Sequence, residues 1–212
     1  MTTYIREARE EDKPSISRIC LLTSNFGTSA EHLHTIGELP GLMWALPYVS
    51  LPTTFGYVLV AAGKDGAEEV VGYIVATSDS KKYREATEET WFPPLREKYP
   101  LELASSPELT DLDKFYVNII HKPFDTPENV LEFSPAHIHM NILPPLQRQG
   151  WGRKLMKKVV EHLQEVDPKM EGLWIGVDPR NEEGKKFYKK LGATHFPTEH
   201  GEHYILRFSA FK

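Results

Sequence analysis

A single cysteine, Cys20, stands in 212 residues. No intramolecular disulfide can form, and a structural zinc site built on several thiolates is excluded. Long apolar runs are missing as well: none approaches the roughly 20 residues that a membrane span requires. The first residues, MTTYIREAREEDKPSISRIC, are charged and hold no apolar signal core. Positive charge is in deficit, with 25 Lys and Arg against 30 Asp and Glu for a net charge of −5. Phosphate-backbone binding needs clustered excess cations, so a general nucleic-acid binder is not expected. These absences predict a soluble protein of the cytoplasm, with nuclear entry left open and neither membrane nor nucleic acid among its partners. A cationic or neutral substrate suits the charge.

Hydrophobic residues make up 40% of the chain and charged residues 26%, enough for a core of normal size. Residues 2–8 read as a strand, and 10–26 as a helix with Ile16, Ile19, Cys20 and Leu22 at helical spacing. The stretch 27–52 holds an irregular helix. TFGYVLVAA (54–62), the turn GKDG and EEVVGYIVATS (68–78) form a hairpin. Segment 79–135 is too long for a plain loop. It is expected to hold helices broken at Pro93, Pro94 and Pro100, one of them over 109–120.

AHIHMNIL (136–143) alternates, with Ala136, Ile138, Met140 and Ile142 on one face and His137, His139, Asn141 and Leu143 on the other. Residues 150–166 form a helix with Trp151, Leu155, Met156, Val159, Val160, Leu163 and Val166 on one side. A strand (172–178), a short helix (181–193) and a last strand (203–209) follow. The order predicts a mixed sheet covered by helices, one domain over 1–212 with an inserted helical segment at about 79–135.

The junction Gln147-Arg148-Gln149-Gly150-Trp151-Gly152 sits at a helix start. The first turn of a helix has N–H groups without intrahelical partners, and its dipole is positive there. An anion such as a pyrophosphate satisfies both. Gly150 and Gly152 let the backbone come close. Gln147, Arg148 and Gln149 add side-chain donors, and Arg153 or Lys154 adds charge. Taken by spacing alone, the glycines serve equally well as a bare strand-to-helix turn. No Gly-Lys-Ser/Thr follows, so this is no nucleotide P-loop, and the GxGxxG pattern is absent.

QRQGWGRKLM resembles the acetyl-CoA signature of the GCN5-related N-acetyltransferases (GNAT), Gln/Arg-x-x-Gly-x-Gly/Ala. NEEGKKFYKKLGA resembles the next signature of that family: an Asn, a Tyr seven residues on, then Leu-Gly. GYVLVA, EEVVGYIVATSDS and PPLREKYP are also similar to the acetyltransferase-like domain attached to O-linked N-acetylglucosaminidases. The resemblance implies an α/β (α+β) fold: a mixed, mainly antiparallel sheet, helices on both faces, and a splayed parallel strand pair, here 136–143 and 172–178. It implies acetyl-CoA as cosubstrate and a small-molecule or peptide amine as acceptor, in a ternary complex; it is silent on oligomeric state.

By the same resemblance, Ile142 N–H polarises the thioester and the pantetheine runs along Leu143. The pyrophosphate sits on Gln149, Gly150, Trp151, Gly152 and Arg153. Asn181 either binds the pantetheine arm or caps its helix, and Tyr188 protonates the leaving thiolate. Trp151 departs from the small aliphatic residue usual between the glycines, and Gly184 from a common Ala. The general base stays open. His139 is the candidate on the strand beside the acetyl group, with His137, Asp178, Asp113 and Glu132 behind it. Two rival readings remain, a module that holds acetyl-CoA without transfer and a metal-dependent hydrolase on His137/His139 or His200/His203. No metal is expected.

Overall fold

The computed structural model describes residues 2–198 and 201–211. Its strands are β1 (Thr2–Glu7), β2 (Thr54–Ala62), β3 (Glu68–Thr77), β4 (His137–Ile142), β5 (Gly172–Val177), β6 (Thr194–Phe196) and β7 (Glu202–Arg207). They form one sheet in the order β1-β2-β3-β4-β5-β7-β6. Every neighbouring pair is antiparallel except β4 and β5, which are parallel. The expected hairpin is present with the predicted strand limits to within a residue. β6 was not foreseen, because three residues carry too little alternation to register.

Helices cover both faces. They are α1 (Lys13–Leu21), α2 (Leu39–Trp44), α3 (Ser80–Ala86), α4 (Phe92–Lys98), α5 (Asp111–His121), α6 (Glu128–Phe133), α7 (Trp151–Val166) and α8 (Glu182–Lys190). The alternation of β4 decides which side each packs on. Ala136 and Ile138 join Leu59 and Ile74 against Leu155, Met156, Val159, Val160 and Leu163 of α7, with Tyr188 of α8 in the same cluster. On the opposite face Val58, Val60, Tyr73 and Val75 meet Ile16, Ile19 and Cys20 of α1. Side chains of this size stabilise the fold by roughly 2 kcal/mol each on full burial.

Two details differ from the predicted stripes. Val166 is 57% exposed, since α7 ends there and its last turn clears the sheet. Leu21 rather than Leu22 is buried on α1, which ends earlier than periodicity suggests because the chain turns at Thr23.

Segment 79–135 folds as helices α3 to α6. Pro93 and Pro94 do not break a helix there; they occupy the first turn of α4. Proline lacks only an N–H that has no partner in that turn. A π-helical turn at Thr87–Trp91 joins α3 directly to α4, with Phe92 N–H donating to Thr87 O. Phe92 and Tyr116 are buried in a helical cluster with Leu39, Leu42 and Ile120, and Trp91 packs against it. These aromatics therefore act mainly as core, while Phe115 remains 41% exposed. Among the described residues, no helix is long and apolar enough to cross a membrane.

Candidate active site

β4 and β5 share one bridged pair, His137 with Trp174. Beyond it they part. Leu143 N–H donates to Val71 O at 2.9 Å, and Trp174 N–H donates to Ala136 O at 2.9 Å. Main-chain groups alternate sides along an extended strand. His139, Asn141 and Leu143 thus present theirs to β3, and Ile138, Met140 and Ile142 theirs to β5. After the single rung β5 is out of reach, so Met140 and Ile142 N–H have no acceptor among the described residues. Leu143 offers no main-chain group at all: its N–H is taken by Val71, and its carbonyl accepts Leu146 N–H at 2.9 Å. A ligand meets Leu143 by its side chain.

The loop into α7 continues this row of donors. Gly150 is the N-cap residue, with φ 83°, and no side chain caps the helix. Arg148 is also left-handed, with φ 60°. Backbone of alternating hand gathers successive N–H groups into an anion-binding hollow. The first acceptor reached from inside the helix is Gly150 O, bonded by Lys154 N–H at 3.3 Å. Six consecutive N–H groups before it, from Arg148 to Arg153, have no protein acceptor among the described residues.

The two glycines have separate jobs. A Cβ on Gly150 would meet nothing within 4 Å, whereas one on Gly152 would lie 2.7 Å from Phe187 Cζ. Gly150 supplies the left-handed turn, and Gly152 lets α8 pack against α7.

The side-chain donors are partly a correction. Gln147 Nε2 donates inward to Ile142 O at 2.8 Å and Gly27 O at 3.1 Å, and Gln149 Nε2 donates to Pro145 O at 2.7 Å. Both amides brace the loop instead of facing an anion. The Ile142 and Pro145 carbonyls come within reach because the loop curls back on itself through Pro144–Leu146, and the chain after α1 brings Gly27 O beside it. Arg148 is open to solvent, 3.5 Å from Glu183. Arg153 lies over Phe211, and Lys154 Nζ stands 4.0 Å above the Trp151 ring. Trp151 thus does not crowd the loop; with Lys154, Lys157 and Lys158 it borders an open hollow of about 360 Å³.

Asn181 caps α8, its Oδ1 accepting Gly184 N–H at 2.8 Å, and its Nδ2 has no partner among the described residues. Gly184 is tied to that cap: a Cβ there would stand 2.7 Å from Asn181 Nδ2. Tyr188 is buried beside Phe187, ring centroids 5.1 Å apart. Its hydroxyl bonds no protein group among the described residues, yet is not sealed from solvent. Burial raises its pKa well above the ordinary phenol value, so it keeps its proton.

The two strand histidines divide. His137 is buried, with Tyr48 Oη 2.6 Å from Nε2 and Ser80 Oγ 2.6 Å from Nδ1. Ser80 Oγ–H is given to Pro135 O, so His137 Nδ1–H donates to Ser80 and Tyr48 donates to Nε2. Both nitrogens are spent, and burial lowers the pKa to about 3. His137 is structural. His139 lies on the same face with Nδ1 3.2 Å from Tyr73 Oη, and its Nε2 has no protein partner among the described residues. Burial pulls its pKa down to about 4, so it is neutral at pH 7. Tyr73 Oη also accepts Asn141 Nδ2 at 2.9 Å, and the Cys20 thiol stands beside it.

Asp178 is held by Arg180 (Nε to Oδ1 3.0 Å, Nη2 to Oδ2 2.9 Å), which lowers its pKa. Asp113 is fully buried with His34, Nδ1 to Oδ1 2.6 Å, and also accepts Thr35 N–H at 2.7 Å. That partnership, formed over a separation of 79 residues, gives Asp113 a scaffolding role that no sequence spacing announces. Glu132 is exposed on α6. Among the described residues no three metal-ligating side chains lie together; His200 falls outside them. Tyr73, Asn141, Phe26 and Arg180 are site neighbours the sequence reading did not single out, although Asn141 shares the face of His139 by simple alternation.

Comparison with known proteins agrees with this geometry. Residues 122–193 match the acetyltransferase (GNAT) family. The crystal structure of SsHAT is similar over 97% of each chain, with 25% identity and a TM-score of 0.79. Arabidopsis thaliana NAA60 in complex with acetyl-CoA is similar over 98% of this chain and 99% of that one, with 12% identity and a TM-score of 0.53. AtaTR bound with AcCoA is similar over 99% and 95%, with 14% identity and a TM-score of 0.53. The latter two likenesses concern the fold alone. The family match spans β4, its loop and α7–α8, the elements that build the parted strands and the donor loop, and the whole chain shares its fold with these structures.

Proposed function

We propose that the chain binds acetyl-CoA and transfers its acetyl group directly to a primary amine of a small molecule or peptide. The observation that carries this reading is the row of main-chain donors without an acceptor among the described residues: Met140 and Ile142 on the parted strand, then six in succession from Arg148 to Arg153. A pyrophosphate matches the second group, and an extended amide-bearing arm matches the first. The complexes of NAA60 and AtaTR with acetyl-CoA support the choice of ligand.

Each step falls to a residue of the chain. Ile142 N–H faces the thioester oxygen and stabilises the charge that develops there when the amine nitrogen bonds to the carbonyl carbon. One preorganised donor of this kind contributes roughly 3 kcal/mol. As the C–S bond breaks, Tyr188 gives its proton to the sulfur. A phenol suits this task because it is protonated at neutral pH and sits in short hydrogen-bond reach of a thiolate. Asn181 Nδ2 donates to the arm.

His139 Nε2 takes the nitrogen's proton, directly or through water. This needs the tautomer in which Nδ1–H donates to Tyr73 Oη and Tyr73 turns its own proton to Cys20. With a pKa near 4, His139 cannot strip an alkylammonium; it acts after the C–N bond forms, when the nitrogen is far more acidic.

That weak basicity favours one second reading, a module that holds acetyl-CoA without transferring it. Calorimetric titration with acetyl-CoA tests the shared part: absence of binding would remove both. Thiol release across a panel of amines separates them, since the module releases no thiol above the rate without amine.

A further inference from the structure

Phe26 carries a backbone φ of 53°, and Gly27 follows at 90°. Asn25 and Thr28 exchange both main-chain hydrogen bonds, at 3.1 and 3.0 Å. The pair is therefore the centre of a two-residue turn with left-handed backbone at both positions, where Asn-Gly or Gly-Gly is the ordinary choice. A bulky side chain at the first position is unfavourable by about 1–2 kcal/mol. Strain of this kind persists where the side chain is needed for something else.

The fold does not need it. Phe26 is 38% exposed and belongs to none of the apolar clusters. Its one ring contact among the described residues is the Arg180 guanidinium, 5.2 Å from the centroid.

Position supplies the use. Gly27 O accepts Gln147 Nε2, which also holds Ile142 O, so one side of the turn is fixed to the end of β4. Arg180, locked to Asp178 just past β5, stands on the other side. The turn follows α1, which packs on the face of the sheet that carries Tyr73. Phe26 accordingly lies across the open end of the parted strands, on the side of His139 and Asn141 and opposite α7.

We propose that Phe26 is a specificity-determining residue for the acceptor: its ring forms an apolar wall against the group next to the attacking amine. The acceptors it selects are primary amines with an aromatic or branched aliphatic substituent. This rests on the acetyl-transfer reading above.

The test uses Phe26→Asn and Phe26→Gly, both of which suit left-handed backbone. The probes are 2-phenylethylamine and ethanolamine in a thiol-release assay, with acetyl-CoA titration and thermal melting alongside. Wild type is expected to prefer 2-phenylethylamine. In both variants KM for that amine rises about 10-fold or more, the scale set by apolar pocket contacts. KM for ethanolamine and the acetyl-CoA Kd stay within twofold, and Tm holds or rises. An unchanged preference, a fall in Tm, or a parallel loss of acetyl-CoA affinity would each overturn the inference. If wild type acetylates neither amine, the assignment of Phe26 is overturned; thiol release with other amines of the panel then shows that transfer stands without it, and release with none of them shows that transfer fails too.

Discussion

Gly152→Ala is expected to change sign with its surroundings. The added Cβ would lie 2.7 and 2.9 Å from Phe187 Cζ and Cε2. Apolar carbons settle at about 3.5–4.0 Å, so the ring must retreat by roughly 1 Å. Overpacking of this size destabilises by about 1–3 kcal/mol. Phe187 is only partly buried and has room to yield, which places the loss near the lower end. Against it stands a gain of about 0.4–1 kcal/mol from a stiffer unfolded chain.

The net change in wild type is thus a loss of roughly 0.5 kcal/mol, or a Tm lower by about 1–2 °C. In a Phe187→Leu background the ring is gone, and the same alanine stabilises by about 0.5 kcal/mol. Urea unfolding of the four proteins gives a coupling energy of about 1–2 kcal/mol. An equal effect of the alanine in both backgrounds would show that the contact between α7 and α8 is not what fixes this glycine.

Three further outcomes are expected. His137 has a folded pKa of about 3, below its unfolded value of 6.5. The unfolded chain binds a proton between those values and the folded one does not, so this stabilisation is complete above pH 6.5 and is lost as pH falls toward 3. From pH 6.5 to 5 the loss from this group is about 2 kcal/mol; His137→Gln should flatten the slope in denaturant melts, and an unaltered slope would show that the proton goes elsewhere. Gln147→Ala removes the brace on Gly27 O and Ile142 O, so Thr28 N–H should exchange at least about 10-fold faster with deuterium, by the loss of about 1–2 kcal/mol of local support; equal protection would contradict the brace. Tyr188→Phe should lower kcat by about 100-fold or more with acetyl-CoA affinity unmoved, the usual worth of an acid in position; turnover at the wild-type rate would strike the residue from the mechanism.

What the sequence disclosed was local. The alternation from Ala136 to Leu143 announced a strand with two faces, and the order Gly150-Trp151-Gly152 announced a helix with an open start. Both depend on neighbours a few residues away. The resemblance carried by Asn181 and Tyr188 pointed to α8; there Asn181 fills its cap role, with Nδ2 unpartnered among the described residues, and Tyr188 packs in the cluster of α7.

Hidden features depend on distant partners. His34 and Asp113 meet through the packing of α5, and Tyr73 reaches His139 and Asn141 across β3 and β4. Gln147 looked like an anion donor because nothing in its own segment shows that Gly27 O waits beside it. Phe26 was illegible for the opposite reason: left-handed turns are read from glycine or asparagine, and here the first position holds neither.

The lone rung between His137 and Trp174 has a mechanical consequence. The sheet behaves as two plates, four strands and three, riveted at one point by a stacked pair of rings 4.5 Å apart. Trp174, His137, Ser80 and Tyr48 form one hydrogen-bonded group around that rivet, placed where the angle between the plates, and with it the aperture of the cleft, would respond to their size. Substitutions there would widen or narrow the jaws for any guest from a distance, with no change to the surface the guest touches.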